Sequence, residues 1–211
     1  MKQKIVEICR RLYERNLLAA CDGNVSCRLE DGTILMTPTA MNKGFIQEND
    51  LALVTLDNQI LFGNPSGERL MHLEVYKRCP QAKAVVHAHP PTAIAWTVGQ
   101  PELKELPSDC LSEIILAVGS IPIAAYARPG TLNMGEVLYP YLPQHRVMIL
   151  ARHGALSWGE SLEEAYDGME RLEHSAQILK SAFELGGLHP LPKEEVAILR
   201  EMRKDLGETS R

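Results

Sequence analysis

The stretch that most constrains this chain is residues 82–89. It is a short β-branched run ending Val85-Val86-His87-Ala88-His89, which Pro90-Pro91 stops abruptly. Proline has no N–H to give to a ladder, so a strand of this kind ends where the prolines begin. Helical patterns lie on both sides of it. Residues 68–78 place Leu70, Met71, Val75 and Tyr76 at helical spacing, and Cys79-Pro80 closes that helix. Residues 92–98 read as a second helix, with Pro90-Pro91 tolerated in its first turn.

The same reading extends along the chain. Apolar positions at Ile5, Ile8, Cys9, Leu12 and Tyr13 predict an amphipathic helix over residues 2–18. Residues 24–29 and 33–37, separated by Asp31-Gly32, predict one hairpin; residues 51–55 and 59–62, flanking Asp57-Asn58, predict another. Residues 121–126 and 147–151 read as buried strands with a helix over 133–142 between them, and 155–158 as a further short strand. The longest helix spans 161–185, opened by a Ser161/Glu164 capping box and closed by Gly186-Gly187; a terminal helix covers 194–206. With no repeat, low-complexity segment or linker, residues 1–211 read as one α/β domain.

Composition removes several function classes. Of 211 residues, 22 are Lys or Arg and 27 are Asp or Glu, giving a formal net charge of −5 and no electrostatic footprint for nucleic acid. Charges fall within every turn of the N-terminal segment, unlike a secretory signal, and no stretch approaches the roughly 18 uninterrupted apolar residues of a membrane span. The expectation is a cytoplasmic protein. Its five scattered cysteines, Cys9, Cys21, Cys27, Cys79 and Cys110, contain no CxxC pair and argue against a disulfide framework or a thiolate zinc site.

The histidines carry the chemistry. Side chains two apart share one face of a strand, so His87 and His89 project together at the strand's end. His153-Gly154 follows the apolar run Val147–Ala151, again at a strand exit, where open α/β sheets collect functional groups. Three neutral imidazoles with an open position suit a catalytic divalent metal. The pattern also fits core or surface histidines. His72 and His174, inside predicted helices, read as structural.

Glu68 opens a helix after the turn Asn64-Pro65-Ser66-Gly67. A carboxylate is favoured there by the helix dipole, and the hydroxyl and backbone N–H groups of Ser66 and Gly67 suit a phosphate. An ordinary cap followed by a first-turn acid reads the same way. Two further small-polar clusters, Asp22–Ser26 and Thr37–Gly44 with Lys43, could donate to an anion and are equally what turns look like. Around Pro129-Gly130, Tyr126, Arg128 and Thr131 mark a loop suited to a substrate or a neighbouring subunit.

Taken together, Gly23-Asn24-Val25-Ser26, Thr37-Pro38-Thr39, Pro65-Ser66-Gly67-Glu68, Val86-His87-Ala88-His89-Pro90 and His153-Gly154 resemble the class II aldolase/adducin family, most closely its L-fuculose-1-phosphate aldolase branch. They stand in family order, and the 19-residue interval from Glu68 to His87 is the most telling. The resemblance implies a three-layer α/β/α sandwich around a largely antiparallel sheet, assembled as a homotetramer with active sites at subunit interfaces. It implies His87, His89 and His153 as ligands of Zn2+ (or Mn2+ or Co2+). Glu68 would be the catalytic acid/base and an additional metal ligand, and Asn24, Thr39, Ser66 and Gly67 the phosphate pocket. The implied reaction cleaves a ketose 1-phosphate, such as L-fuculose 1-phosphate or a 5-deoxy- or 5-methylthio-pentulose 1-phosphate, to dihydroxyacetone phosphate and an aldehyde.

The chain departs from that branch at Ala40, where it has glycine; at Gly67, where it has a second serine; in residues 108–116, which lack its interface tyrosine and carry Glu113; and in the tail 207–211, which lacks its aromatic lid. Related enzymes remain alternatives: methylthioribulose-1-phosphate dehydratases, sugar-acid-phosphate decarboxylases, and 4-epimerases, which carry aspartate at the position of Glu68. So do adducin-like interaction proteins that bind no metal.

Overall fold

The computed structural model describes residues 1–205. Among them, eight strands form one sheet in the order β4-β3-β2-β1-β5-β8-β7-β6, antiparallel except for the β6–β7 pair. In chain order the elements are α1 (Lys2–Glu14), β1 (Asn24–Arg28), β2 (Ile34–Met36), β3 (Ala52–Val54), β4 (Ile60–Phe62), α2 (Arg69–Arg78), β5 (Ala84–Ala88), α3 (Pro91–Gly99), α4 (Ser112–Ala117), β6 (Ile123–Ala124), α5 (Asn133–Glu136), β7 (Val147–Leu150), β8 (Gly154–Gly159), α6 (Leu162–Leu185) and α7 (Lys193–Asp205).

The central strand β5 sorts the layers. Ala84, Val86 and Ala88 point into one core with Ile5, Ile8 and Leu12 of α1, Trp96 of α3 and Met169, Leu172 and Ala176 of α6. Val85 points into the opposite core with Met71, Val75 and Tyr76 of α2, Met134 of α5 and Trp158 of β8. Period-two alternation on a strand buried on both faces therefore yields the expected three-layer sandwich. Both predicted hairpins form, β1–β2 and β3–β4. No helix of the described residues is long and apolar enough to cross a membrane.

Five expectations shift. Helix α1 stops at Glu14 rather than residue 18, because Asn16 adopts a left-handed φ of 58° and the Leu17 N–H returns to the Leu12 carbonyl. The helix expected over 133–142 is α-helical only through Glu136, since Pro140 cannot extend the ladder. Ser161 caps α6 by accepting from Glu164 N, but the Glu164 carboxylate goes to the Glu160 N–H and Arg146 instead of completing a capping box. Helix α4 lies where no helix is expected from the sequence, packed on α7 through Ile115, Val196 and Leu199. The end of the terminal helix expected at Leu206, and the tail 207–211, lie outside the described residues. His72 is structural as expected, but His174 is exposed on α6.

Candidate active site

Strand register explains how distant residues meet. Antiparallel pairing sets Asn24, the first residue of β1, opposite His87 at the end of β5, and sets Ala88 opposite Ala155 at the start of β8. The start of β1, the end of β5 and the turn into β8 therefore share one margin of the sheet. His87 takes the α2 face with Val85, and Glu68 stands at the N-cap position of α2, its carboxylate directed at His87 instead of the helix N–H groups.

The three histidines converge there, with ligand nitrogens all within 4.8 Å of one another and ring centroids 5.0–5.1 Å apart. His87 is fully buried, and its Nδ1 lies 2.8 Å from the carbonyl oxygen of Ala155. A carbonyl only accepts, so Nδ1 carries the proton and Nε2 presents a lone pair. That lone pair faces His89 Nε2 at 3.2 Å and Glu68 Oε2 at 3.3 Å, while Glu68 Oε1 lies 3.2 Å from His153 Nε2. Acceptors clustered around one point repel unless a cation lies among them, so this donor set fits a divalent metal. Burial, reinforced by His87 and His153, pushes the His89 imidazole down to about 3, keeping it neutral and able to ligate. Burial would raise the Glu68 carboxyl, but the close contacts with His153 and His87 outweigh it and hold it well below the usual carboxylate range.

Beside this cluster a cavity of about 460 Å³ is lined by Asn24, Thr39, Ala40, Lys43, Ser66, Gly67, Glu68, His89, His153, the Cys21-Asp22-Gly23 turn and the Pro129-Gly130 loop. Every residue of the expected phosphate pocket is therefore in one place with the three histidines and Glu68. Two details correct the sequence-based expectation. The Ser66 N–H is taken by the Thr37 carbonyl, and the Glu68 N–H by Ser66 Oγ, so only the Gly67 N–H lacks a partner among the described residues. The Asn24 amide donates to Glu68 Oε2 at 2.9 Å, tying β1 to the carboxylate. Glu113 is exposed on α4 and does not line the cavity. Lys43 Nζ donates to the Cys21 carbonyl, and its burial pushes its ammonium pKa down.

Glycines set the close approaches. A Cβ at Gly23 (φ 68°) would come within 2.3 Å of Leu18 and 2.8 Å of the His87 carbonyl, so only glycine fits. Ala40, by contrast, holds a left-handed φ of 56° with a side chain. That costs about 1 kcal/mol, and Ala40→Gly is expected to raise the thermal midpoint by about 2–4 °C. A midpoint unchanged or lowered in differential scanning calorimetry would refute the strain assigned to this position.

Two contributing residues are not evident from the sequence. Asp22 Oδ2 lies 3.6 Å from His89 Nδ1; its only signal is membership of a polar turn. Glu173, buried on α6, accepts from the Thr92 and Ala93 N–H groups and so caps α3 just after His89-Pro90. An acid on the apolar face of a long helix is the available signal.

The architecture and this centre define a class: an α/β/α protein whose sheet margin carries a three-histidine, one-carboxylate centre beside an anion-suited cavity. Residues 3–179 match the family model described as the class II aldolase and adducin N-terminal domain. The chain belongs to the class II aldolase/adducin family. It is 32% identical over 208 residues to the 3-oxo-tetronate 4-phosphate decarboxylase of Escherichia coli, covering 95% of each chain. It is 34% identical to the L-fuculose phosphate aldolase of Methanococcus vannielii over 176 residues, which is 83% of this chain and 93% of that one. The solved structure of Escherichia coli YgbL superposes with a TM-score of 0.87 at 30% identity, covering 94% of this chain and 97% of that one.

Proposed function

We propose that this protein is a metal-dependent lyase that breaks the carbon–carbon bond between the α and β carbons of a phosphorylated sugar's ketone, with Zn2+, or Mn2+ or Co2+, held by His87, His89 and His153. One observation carries the reading: the three imidazoles and Glu68 converge at the wall of the cavity that also contains Asn24, Thr39, Ser66 and Gly67. A divalent ion bound there supplies Lewis-acid stabilisation of the charge that develops on the ketone oxygen.

The chain's own groups do the rest. Thr39, the Ser66 hydroxyl and the Gly67 N–H bind the phosphate, and Lys43 contributes positive charge nearby. Glu68 moves the proton at the carbon beside the ketone. Its contacts with His87 and His153 keep it ionised; once substrate loosens them, burial pushes its pKa back toward the range of a working base. Asn24 holds the carboxylate in line through its amide. The favoured substrate is a ketose 1-phosphate, split to dihydroxyacetone phosphate and an aldehyde. A homotetramer with the site shared between subunits is part of this reading, and sedimentation of a monomer would remove it.

A second reading is decarboxylation of a 3-oxo sugar-acid phosphate. Two observations favour it. The decarboxylase relatives match over 95% of both chains, and no tyrosine lines the cavity among the described residues. Aldol cleavage needs an acceptor for the proton of the hydroxyl that becomes the aldehyde oxygen, whereas a carboxylate loses carbon dioxide without one. Screening ketose 1-phosphates with coupled detection of dihydroxyacetone phosphate, alongside 3-oxo-tetronate 4-phosphate with detection of carbon dioxide, separates the two. Inactivity on both classes would reject the lyase assignment.

Glu68→Gln is expected to retain metal and lose about 10²–10⁴-fold in turnover and in solvent-proton exchange into the product. Full activity in that variant would remove Glu68 from the proton-transfer role.

A further inference from the structure

We infer that Asp22 is a positioning residue for His89, completing a carboxylate–imidazole–metal relay. The inference rests on the reading of His87, His89 and His153 as metal ligands. An imidazole that offers Nε2 to a cation carries its proton on Nδ1, and that N–H needs an acceptor which fixes the ring and raises its basicity. For His87 the acceptor is the Ala155 carbonyl, rigid within β8. For His89 the group facing Nδ1 is Asp22 Oδ2, at 3.6 Å. That is an ion-pair distance slightly beyond a hydrogen bond, and a small rotation of the half-exposed Asp22 side chain closes it.

The backbone around Asp22 is built to hold it there. The Asp22 N–H bonds to the Ala19 carbonyl at 2.9 Å, and the Lys43 ammonium grips the carbonyl of Cys21 immediately before it. Gly23 follows at a position where no side chain fits, pressed against the His87 carbonyl. Lys43 is the facing cation. Its attraction for the carboxylate competes with His89, while its ammonium is engaged by the Cys21 carbonyl. Asp22 thus touches the metal only through His89, and its effect is on ligand orientation and basicity.

The test is Zn2+ affinity measured by competition with a chromogenic chelator, for the full chain and for Asp22→Ala, Asp22→Glu and His89→Ala. Asp22→Ala is expected to weaken Zn2+ binding about 10–100-fold, the usual range for a lost outer partner. Asp22→Glu should recover most of that loss, and the metal-free thermal midpoint should stay near that of the unsubstituted chain. Wild-type affinity in Asp22→Ala, or a loss that Asp22→Glu does not recover, overturns the inference. An unsubstituted protein that binds no Zn2+ overturns instead the ligand assignment beneath it. Unsubstituted binding that His89→Ala abolishes but Asp22→Ala leaves intact rejects the role of Asp22 alone.

Discussion

Replacing His89 with alanine is expected to abolish bound metal and turnover together. Three imidazoles and one carboxylate meet at a single point, and removing one nitrogen leaves His87, buried and immobile, with His153 across a turn. Two ligands and a carboxylate hold a divalent ion far less well than the full set. Without the ion, several kcal/mol of charge stabilisation at the reacting carbonyl disappear, about 10³-fold or more in rate. His89 is only partly enclosed, so the metal-free fold should survive the change; near-native circular dichroism with no metal by elemental analysis is the expected pair of results. Metal-dependent turnover retained by this variant would remove His89 from the ligand set.

Gly154→Ala should be nearly as damaging, and for a steric reason. A Cβ at this position would lie 2.6 Å from the Ala88 carbonyl oxygen, 2.9 Å from His87 Cε1 and 2.9 Å from His89 Cδ2. The first contact is backbone within the β5–β8 pairing and cannot swing aside; the other two are the rings of two of the three clustered histidines. One methyl group would therefore push β8 from β5 and turn two imidazoles away from the shared centre. Overpacking of this kind costs about 3 kcal/mol, equivalent to a fall of about 6–12 °C in the thermal midpoint. Metal affinity should fall with it. A variant of unchanged midpoint and unchanged metal content would show that the strands relax at no cost.

Much of this centre is legible in the sequence because it is written in local rules. Two residues apart on a strand means one face, so the alternation of a single strand already pairs His87 with His89. Proline ends the strand after His89, and glycine follows His153, marking both as exits. The hairpins and the long helix from Ser161 follow from turn and cap chemistry that operates within a few residues. Element ends are less legible. Asn16 terminating α1 in a left-handed turn leaves no mark that distinguishes it from any other asparagine, and α4, short and lacking a capping side chain, presents too few turns for a clear period.

What stays hidden is contact across distance. That the Asn24 amide is spent on Glu68, that the Ser66 N–H is closed by Thr37, and that Glu173 caps α3 from 80 residues away depend on β1, α2 and α6 being packed in particular registers. The Asp22–His89 approach is of the same kind. By itself the sequence determined the succession of helices and strands of one α/β domain and the pairing of His87 with His89, because periodicity and turn chemistry are short-range; the layered sandwich was implied by the family resemblance. Only the tertiary structure decided that the beginnings of β1 and β8 and the end of β5 share one margin, since strand order and register are long-range choices made by the packing of both cores. That choice turns three scattered histidines and one helix-capping glutamate into a single centre.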